Sequence, residues 1–243
     1  MLNRTWIVAL VFSCLGAGSG SSASIFKPSV AQQKKLGDQA ASEYAKKYKF
    51  VTGDKLARTE RVGARLYKAL PSKDRKTWTY TFHVIEDKEV NAFAIPGGNV
   101  YMFTGLLDRI RTDDELAAVL GHEMTHVRAQ HWARQVASNQ ERSMGLSVLL
   151  GAVKASNDWY SAANVVNTLT NLRYSRKDED EADKGGLYNM VDAGFNPQGM
   201  LGLFNILQDA SGKGGTPAFL RDHPMTNDRV KKTQQRIAAL RKN

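Results

Sequence analysis

The chain of 243 residues carries one cysteine, Cys14. A single thiol excludes an internal disulfide, and it also excludes a structural zinc site of the cysteine-rich kind. Histidine is scarce at five residues and proline at six. No apolar run reaches the roughly 18–20 residues that a membrane-spanning helix needs. The strongest internal run, Met144 to Val153, contains Gly and Ser and reads as a buried or surface-docking helix. Acidic residues are outnumbered, 24 Asp and Glu against 34 Lys and Arg, which leaves a net charge of +10. The basic residues are spread along the chain without interleaved aromatics, so nucleic acid is not an expected partner. A solvated basic face accounts for the charge, with peripheral attraction to an anionic membrane as the next reading.

What is present begins with an export signal. Arg4 supplies positive charge, Trp6 to Leu15 a short apolar stretch, and Gly16 to Ser24 small residues. Ser21 and Ala23 fit the small-x-small rule for cleavage. Residues 1–23 are expected to be a signal peptide, with 24–243 forming one domain outside the cytoplasm. Val11-Phe12-Ser13-Cys14 also loosely resembles a lipoprotein signal, in which Cys14 would carry lipid and anchor the chain to a membrane.

The periodicity predicts an α+β fold that is mainly helical. Amphipathic helices are expected from Pro28 to about Phe50 and from Asp54 to Leu70. Trp78 to Glu86, Val90 to Ile95 and Val100 to Phe103 read as strands of a small antiparallel sheet, with a turn at Pro96-Gly97-Gly98. Thr112 and Glu115 form a capping box that opens a helix expected to continue through His131. Later helices are expected near Trp159 to Tyr174, Arg176 to Ala193, Pro197 to Asp209 and Thr226 to Lys242, with a loop from Ser211 to Gly215.

The third of these helical stretches holds the chemistry. His122-Glu123-Met124-Thr125-His126 is HExxH. Two histidines four residues apart differ by about 40° around a helix, so both imidazoles leave on one side. They suit one zinc ion at about 2.0–2.1 Å from each nitrogen. Glu123 is placed to act as general base toward a water there. Gly121, just before, lets another chain segment approach closely.

The next ligand is not the histidine of a metzincin. That pattern needs a glycine seven residues after His122 and a histidine ten after; Ala129 and Trp132 stand there instead. His131, nine residues on, falls about 180° from His122 on an unbroken helix and is expected on the helix surface or behind a ligand. The acidic run Asp178 to Asp183 is the alternative. Glu179 and Asp183 share a helix face, so Glu179 can ligate while Asp183 accepts a hydrogen bond from a ligand histidine. Ala182 beside them permits tight packing. Spacing leaves Glu181 open as the ligand.

These motifs resemble the gluzincin peptidases that include HtpX, the CaaX prenyl endopeptidases, the mitochondrial Oma-type protease, and periplasmic BepA and LoiP. Asn91-Ala92-Phe93-Ala94 with Pro96-Gly97-Gly98 resembles the family's edge strand. Tyr174-Ser175-Arg176 through Glu179 to Asp183 resembles its SR-x-x-E-x-x-A-D signature. Asp222-His223-Pro224 to Arg229 resembles its late HP-x-x-x-x-R element. The resemblance implies a zincin-like domain with one zinc held by His122, His126 and Glu179, Asp183 behind a ligand, and Glu123 as catalytic base. It implies roles for His223 and Arg229 near the metal, His223 stabilising the oxyanion or blocking the metal. It implies a substrate strand over Asn91, Ala92, Phe93 and Ala94. The multi-span anchors of some members are absent, which favours the periplasmic branch and makes prenylated substrates unexpected. The expected activity is endopeptidase cleavage of unfolded or misassembled envelope proteins, with the outer-membrane assembly machinery as partner. The alternative is a chaperone or assembly factor with latent proteolysis.

Overall fold

The computed structural model describes residues 26–149, 173–212 and 215–240. The expected signal peptide, Cys14 and most of the helix expected from Trp159 lie outside these residues; Arg173 and Tyr174 at that helix's end are not helical.

Ser29 opens α1 (Val30–Lys47) with a capping box that includes Gln32. A short strand, β1 (Phe50–Val51), leads to α2 (Asp54–Ala69) and the brief α3 (Ser72–Thr77). Then come β2 (Thr81–Ile85), β3 (Ala92–Ala94), β4 (Asn99–Phe103), the single turn α4 (Thr104–Leu107), α5 (Asp113–Arg128) and α6 (His131–Leu149). The later described helices are α7 (Arg176–Asp192), α8 (Gln198–Ser211), α9 (Ala218–Asp222) and α10 (Asn227–Leu240). Among the described residues no helix is long and apolar enough to cross a membrane.

The sheet is mixed, which corrects the antiparallel expectation. Its order is β1-β2-β4-β3, and β2 runs parallel to β4 from Thr81↔Asn99 to Ile85↔Phe103. The β1–β2 and β3–β4 pairs are antiparallel. Alternation of side chains looks the same whichever way the neighbour runs, so it could not supply the order. The connection after β2 decides it. That segment is tied across the end of β4, where the Gly105 amide donates to Asp87 O at 2.7 Å and Thr104 Oγ1 donates to it at 2.8 Å. A Cβ at Gly105 would run into the Lys88 carbonyl oxygen, so this crossing needs glycine. The chain then enters β3 at the far edge, and β4 fills the slot between β3 and β2.

The two sheet faces are covered by different helices. Phe82, Val84, Ala92, Ala94, Val100 and Met102 share a core with Val62 and Leu66 of α2 and Leu116 and Leu120 of α5. Tyr101 and Phe103 pack instead with Leu36, Ala40 and Tyr44 of α1 and with Trp132 of α6. Every residue of α5 from Leu116 to Val127 is buried, the mark of a helix surrounded by other elements.

Helix α5 stops before His131, against expectation. Ala129 caps it through a bond from its amide to Thr125 O, and Gln130 takes a left-handed φ of 57°. Such a conformation costs a non-glycine residue roughly 1–2 kcal/mol. Gln33 of α1 holds it by donating from Nε2 to Gln130 Oε1 at 3.0 Å, a contact across 97 residues.

Candidate metal centre

Helix α5 presents His122 and His126, α7 presents Glu179, and the residue after α9 is His223. One ligand-type atom from each lies within 4.8 Å of all the others, and all four residues are buried. His122 Nε2 is 3.0 Å from His126 Nε2 and 3.2 Å from His223 Nδ1. Glu179 Oε1 is 3.5 Å from His126 Nε2 and 2.9 Å from His223 Nδ1, and Glu179 Oε2 is 3.7 Å from His122 Nε2.

Helix α7 reaches this group because α5 and α7 cross at glycines. A Cβ on Gly186 would fall 2.8 Å from His122 N and 2.9 Å from Gly121 C. The close approach expected at Gly121 is thus made by Gly186. Ala182 is fully buried beside it.

Partners behind the donors orient them. Asp183 Oδ1 lies 3.1 Å from His122 Nδ1. Arg229 grips Asp183 with two bonds, Nε to Oδ2 and Nη2 to Oδ1, both 2.7 Å. Its Nη1 lies 2.6 Å from Glu179 Oε2 and also donates to the carbonyls of His223 and Pro224. Arg229 therefore ties the α7 carboxylates to the loop that carries His223.

Burial and charge compete at each group. Burial pushes the Asp183 carboxyl up, but the bonds and charge of Arg229, with His122, outweigh it and leave the group at about 2. Glu179 is likewise pushed up by burial and brought below its ordinary value by His223, His122 and Arg229. In Glu123 burial wins and raises the pKa, against the charges of His223 and His122 and the Ala94 amide directed at the carboxylate. Burial drives His126 well below its usual value. His223 is raised: Glu179 and Glu123 outweigh the effect of its burial.

The residues present fit a divalent metal ion. A tetrahedral shell of radius about 2.0–2.1 Å has edges of roughly 3.3 Å, and the separations between donors bracket that value. With His122 Nδ1 facing Asp183, its Nε2 is left to face the group. Among the described residues Glu123 Oε1 is a buried oxygen without a hydrogen-bond partner, while Glu179 Oε2 has only the Arg229 guanidinium set against it. Buried carboxylate oxygens are costly unless hydrogen-bonded or set against a cation.

The structure thus brings His122, Glu123, His126, Glu179, Asp183, His223 and Arg229 together. Glu181, which spacing left open, instead faces His131 at 3.3 Å. Of the substrate-strand residues, Asn91 O and the Ile95 amide bond to β4, so the main-chain groups of Ala92 and Ala94 point to the free edge. Phe93 pairs with Tyr101 and stacks on its ring. Two further neighbours flank the group: Tyr174, which sequence reasoning missed, and His131, for which a place behind a ligand was one of the two expectations. Tyr174 lies over His126 with ring centroids 3.9 Å apart. His131 is fully buried and contacts His126 directly; only the break at Gln130 makes that contact available.

Comparison with known proteins identifies the family. The model of Peptidase family M48 matches residues 55–237. Over 157 residues the chain is 36% identical to mitochondrial metalloendopeptidase OMA1 of Schizosaccharomyces pombe, covering 64% of this chain and 46% of that protein. It is 30% identical over 172 residues to the beta-barrel assembly-enhancing protease of Escherichia coli, covering 67% and 35% respectively. It is 30% identical over 160 residues to metalloprotease LoiP of Escherichia coli, covering 65% and 63%. The chain therefore matches less than two thirds of the length of each of these relatives. With the family match running from α2 to α10 and enclosing every residue of the donor group, the chain belongs to peptidase family M48.

Proposed function

We propose that the chain is a zinc-dependent endopeptidase of the cell envelope that hydrolyses peptide bonds of unfolded or misassembled proteins. The observation that carries the reading is the buried group of His122, His126 and Glu179 beside the unpartnered Glu123 oxygen. Two imidazoles and a carboxylate are a donor set of catalytic zinc sites. Zinc bound there would polarise the scissile carbonyl and lower the pKa of water.

The chain's own residues supply the rest. Glu123, raised by its burial, takes a proton from water and returns it to the leaving amine. Asp183 and Arg229 hold His122 and Glu179 in place. The free edge of β3 takes an extended substrate by strand addition, with Ala92 and Ala94 offering main-chain bonds that tolerate many sequences. The expected signal at residues 1–23 supports a periplasmic location, with Cys14 as a lipid anchor in the alternative. The names of the relatives that enhance beta-barrel assembly support the outer-membrane assembly machinery as a partner.

The second reading, an assembly factor with latent proteolysis, has its own observation. His223 Nδ1 stands among the donors, where a reacting water needs room. Hydrolysis then requires His223 to withdraw.

The test is incubation of the purified mature protein with an unfolded polypeptide, beside a Glu123→Gln variant of equal zinc content. Cleavage by the parent alone supports the peptidase. Cleavage by neither, but by His223→Ala, supports latency. Protein that takes up no zinc sinks both.

A further inference from the structure

The two imidazoles of the HExxH helix are braced in different ways. His122 turns its Nδ1 to the Asp183 carboxylate. His126 turns its Nδ1 to another ring, that of His131, with the two Nδ1 atoms 2.7 Å apart. His131 is fully buried, and its Nε2 lies 3.3 Å from Glu181 Oε2 and 3.7 Å from Asp178 Oδ1. Asp178 is fixed by the capping box of α7, where Ser175 donates to it from both its amide and its hydroxyl.

We propose that His131 is a positioning residue that fixes the tautomer and orientation of His126 by relaying it to the α7 carboxylates Glu181 and Asp178. The proposal rests on the zinc reading above and adds to it. The proton count allows one arrangement. A metal at His126 Nε2 leaves its Nδ1 to carry the ring's proton, and that N–H donates to His131 Nδ1. His131 must then carry its own proton on Nε2, where it donates to Glu181. The chain of bonds ends on a carboxylate, as it does directly at His122.

One helix thereby braces three ligands: α7 supplies Glu179 itself, Asp183 behind His122, and Glu181 with Asp178 behind His131. The cluster of His131, Asp178 and Glu181 is not better read as a second metal site. Arg134 Nη2 already donates to both carboxylates at 2.8 Å and stands where a cation would. The geometry also gives the left-handed Gln130 a purpose: by ending α5 it brings His131 back against His126 instead of about 180° away.

The test is zinc affinity, by competition with a chromophoric chelator at one neutral pH, for the parent, His131→Leu and His131→Asn. Melting of the metal-free proteins checks the fold. The Leu variant loses the acceptor and is expected to bind zinc about 10–100-fold more weakly. Asn places its Oδ1 where Nδ1 stood, accepts the same proton, and is expected to recover most of the affinity. Parent-like affinity in the Leu variant overturns the proposal, and so does an equal loss in Leu and Asn, which would mark a packing role. If the Leu variant fails to fold, Glu181→Gln reads the relay at its half-exposed end, with weaker zinc binding expected and unchanged affinity overturning it. In the zinc-loaded parent, nitrogen-resolved imidazole spectra should show Nδ1–H on His126 and Nε2–H on His131; the reverse on His131 overturns the relay. A parent that binds no zinc removes the zinc reading itself, a distinct failure that removes this proposal with it.

Discussion

At the scale of residues, Asp183 and Arg229 show how much the site depends on charge pairing out of water. Each is buried, and each would be costly alone. Asp183→Asn removes the charge and leaves Arg229 without its main partner, so the metal-free protein is expected to lose about 3 kcal/mol at neutral pH. The sign of the pH dependence follows from Asp183 lying at about 2 in the fold, below its ordinary 3.8. Its contribution is complete above pH 4 and drains away as pH falls toward 2, a loss of about 2 kcal/mol. Denaturant midpoints of parent and variant should therefore converge over that window; a constant gap would contradict the assignment. Glu123→Gln should lower kcat roughly 10²–10⁴-fold with zinc content unchanged. His122, Glu123 and His126 were legible in the sequence because one helical turn fixes their geometry. Glu179 and Asp183 were legible as a face, and the resemblance chose between Glu179 and Glu181. Tyr174 was not, because its contact depends on where separate segments meet, and for His131 the helix period left both the surface and a place behind a ligand open.

At the scale of elements, the site depends on how closely α5 and α7 cross. Gly186→Ala would set a methyl group 2.8 Å from His122 N and 2.9 Å from Gly121 C, both backbone atoms that cannot swing aside. Alanine favours a helix over glycine by about 1 kcal/mol, but overpacking of this kind costs about 1–3 kcal/mol. The metal-free variant is expected to melt below the parent and to bind zinc more weakly, since Glu179 and Asp183 ride on the displaced helix. A higher melting temperature with parent-like zinc affinity would show that the crossing has slack. The capping boxes at Ser29, Thr112 and Ser175 illustrate what local sequence can specify: a hydroxyl and a side chain three residues later are enough. The end of α5 illustrates the limit. No glycine or proline announces it, and the side chain that holds Gln130 comes from α1. Strand order failed for the same reason, since the pinning of Asp87 to Thr104 and Gly105 is a tertiary fact.

At the scale of the molecule, the mixed sheet places one strand edge next to the chemistry. β3 lies at the end of the order β1-β2-β4-β3, so one of its edges is unpaired by the sheet. The Ala94 amide on that edge is directed at Glu123, which aligns the open edge with the proposed base. Among the described residues the Ala92 amide on the same edge bonds the neighbouring Asn91 Oδ1, at 2.9 Å, and takes no part in the ladder with β4. Ala92→Pro removes this N–H without removing a rung, so the sheet should keep its pairing. An extended substrate would lose one main-chain bond of about 0.5–1.5 kcal/mol. KM for an unfolded polypeptide should rise by up to about tenfold, with zinc content and kcat near those of the parent, because neither the donors nor Glu123 has changed. Ala92 is itself buried, so circular dichroism and zinc content must first match the parent. Given that match, an unchanged KM would mean that substrate does not add to this edge, and the approach to Glu123 would have to run instead through the opening beside Tyr174, Pro224 and Arg229.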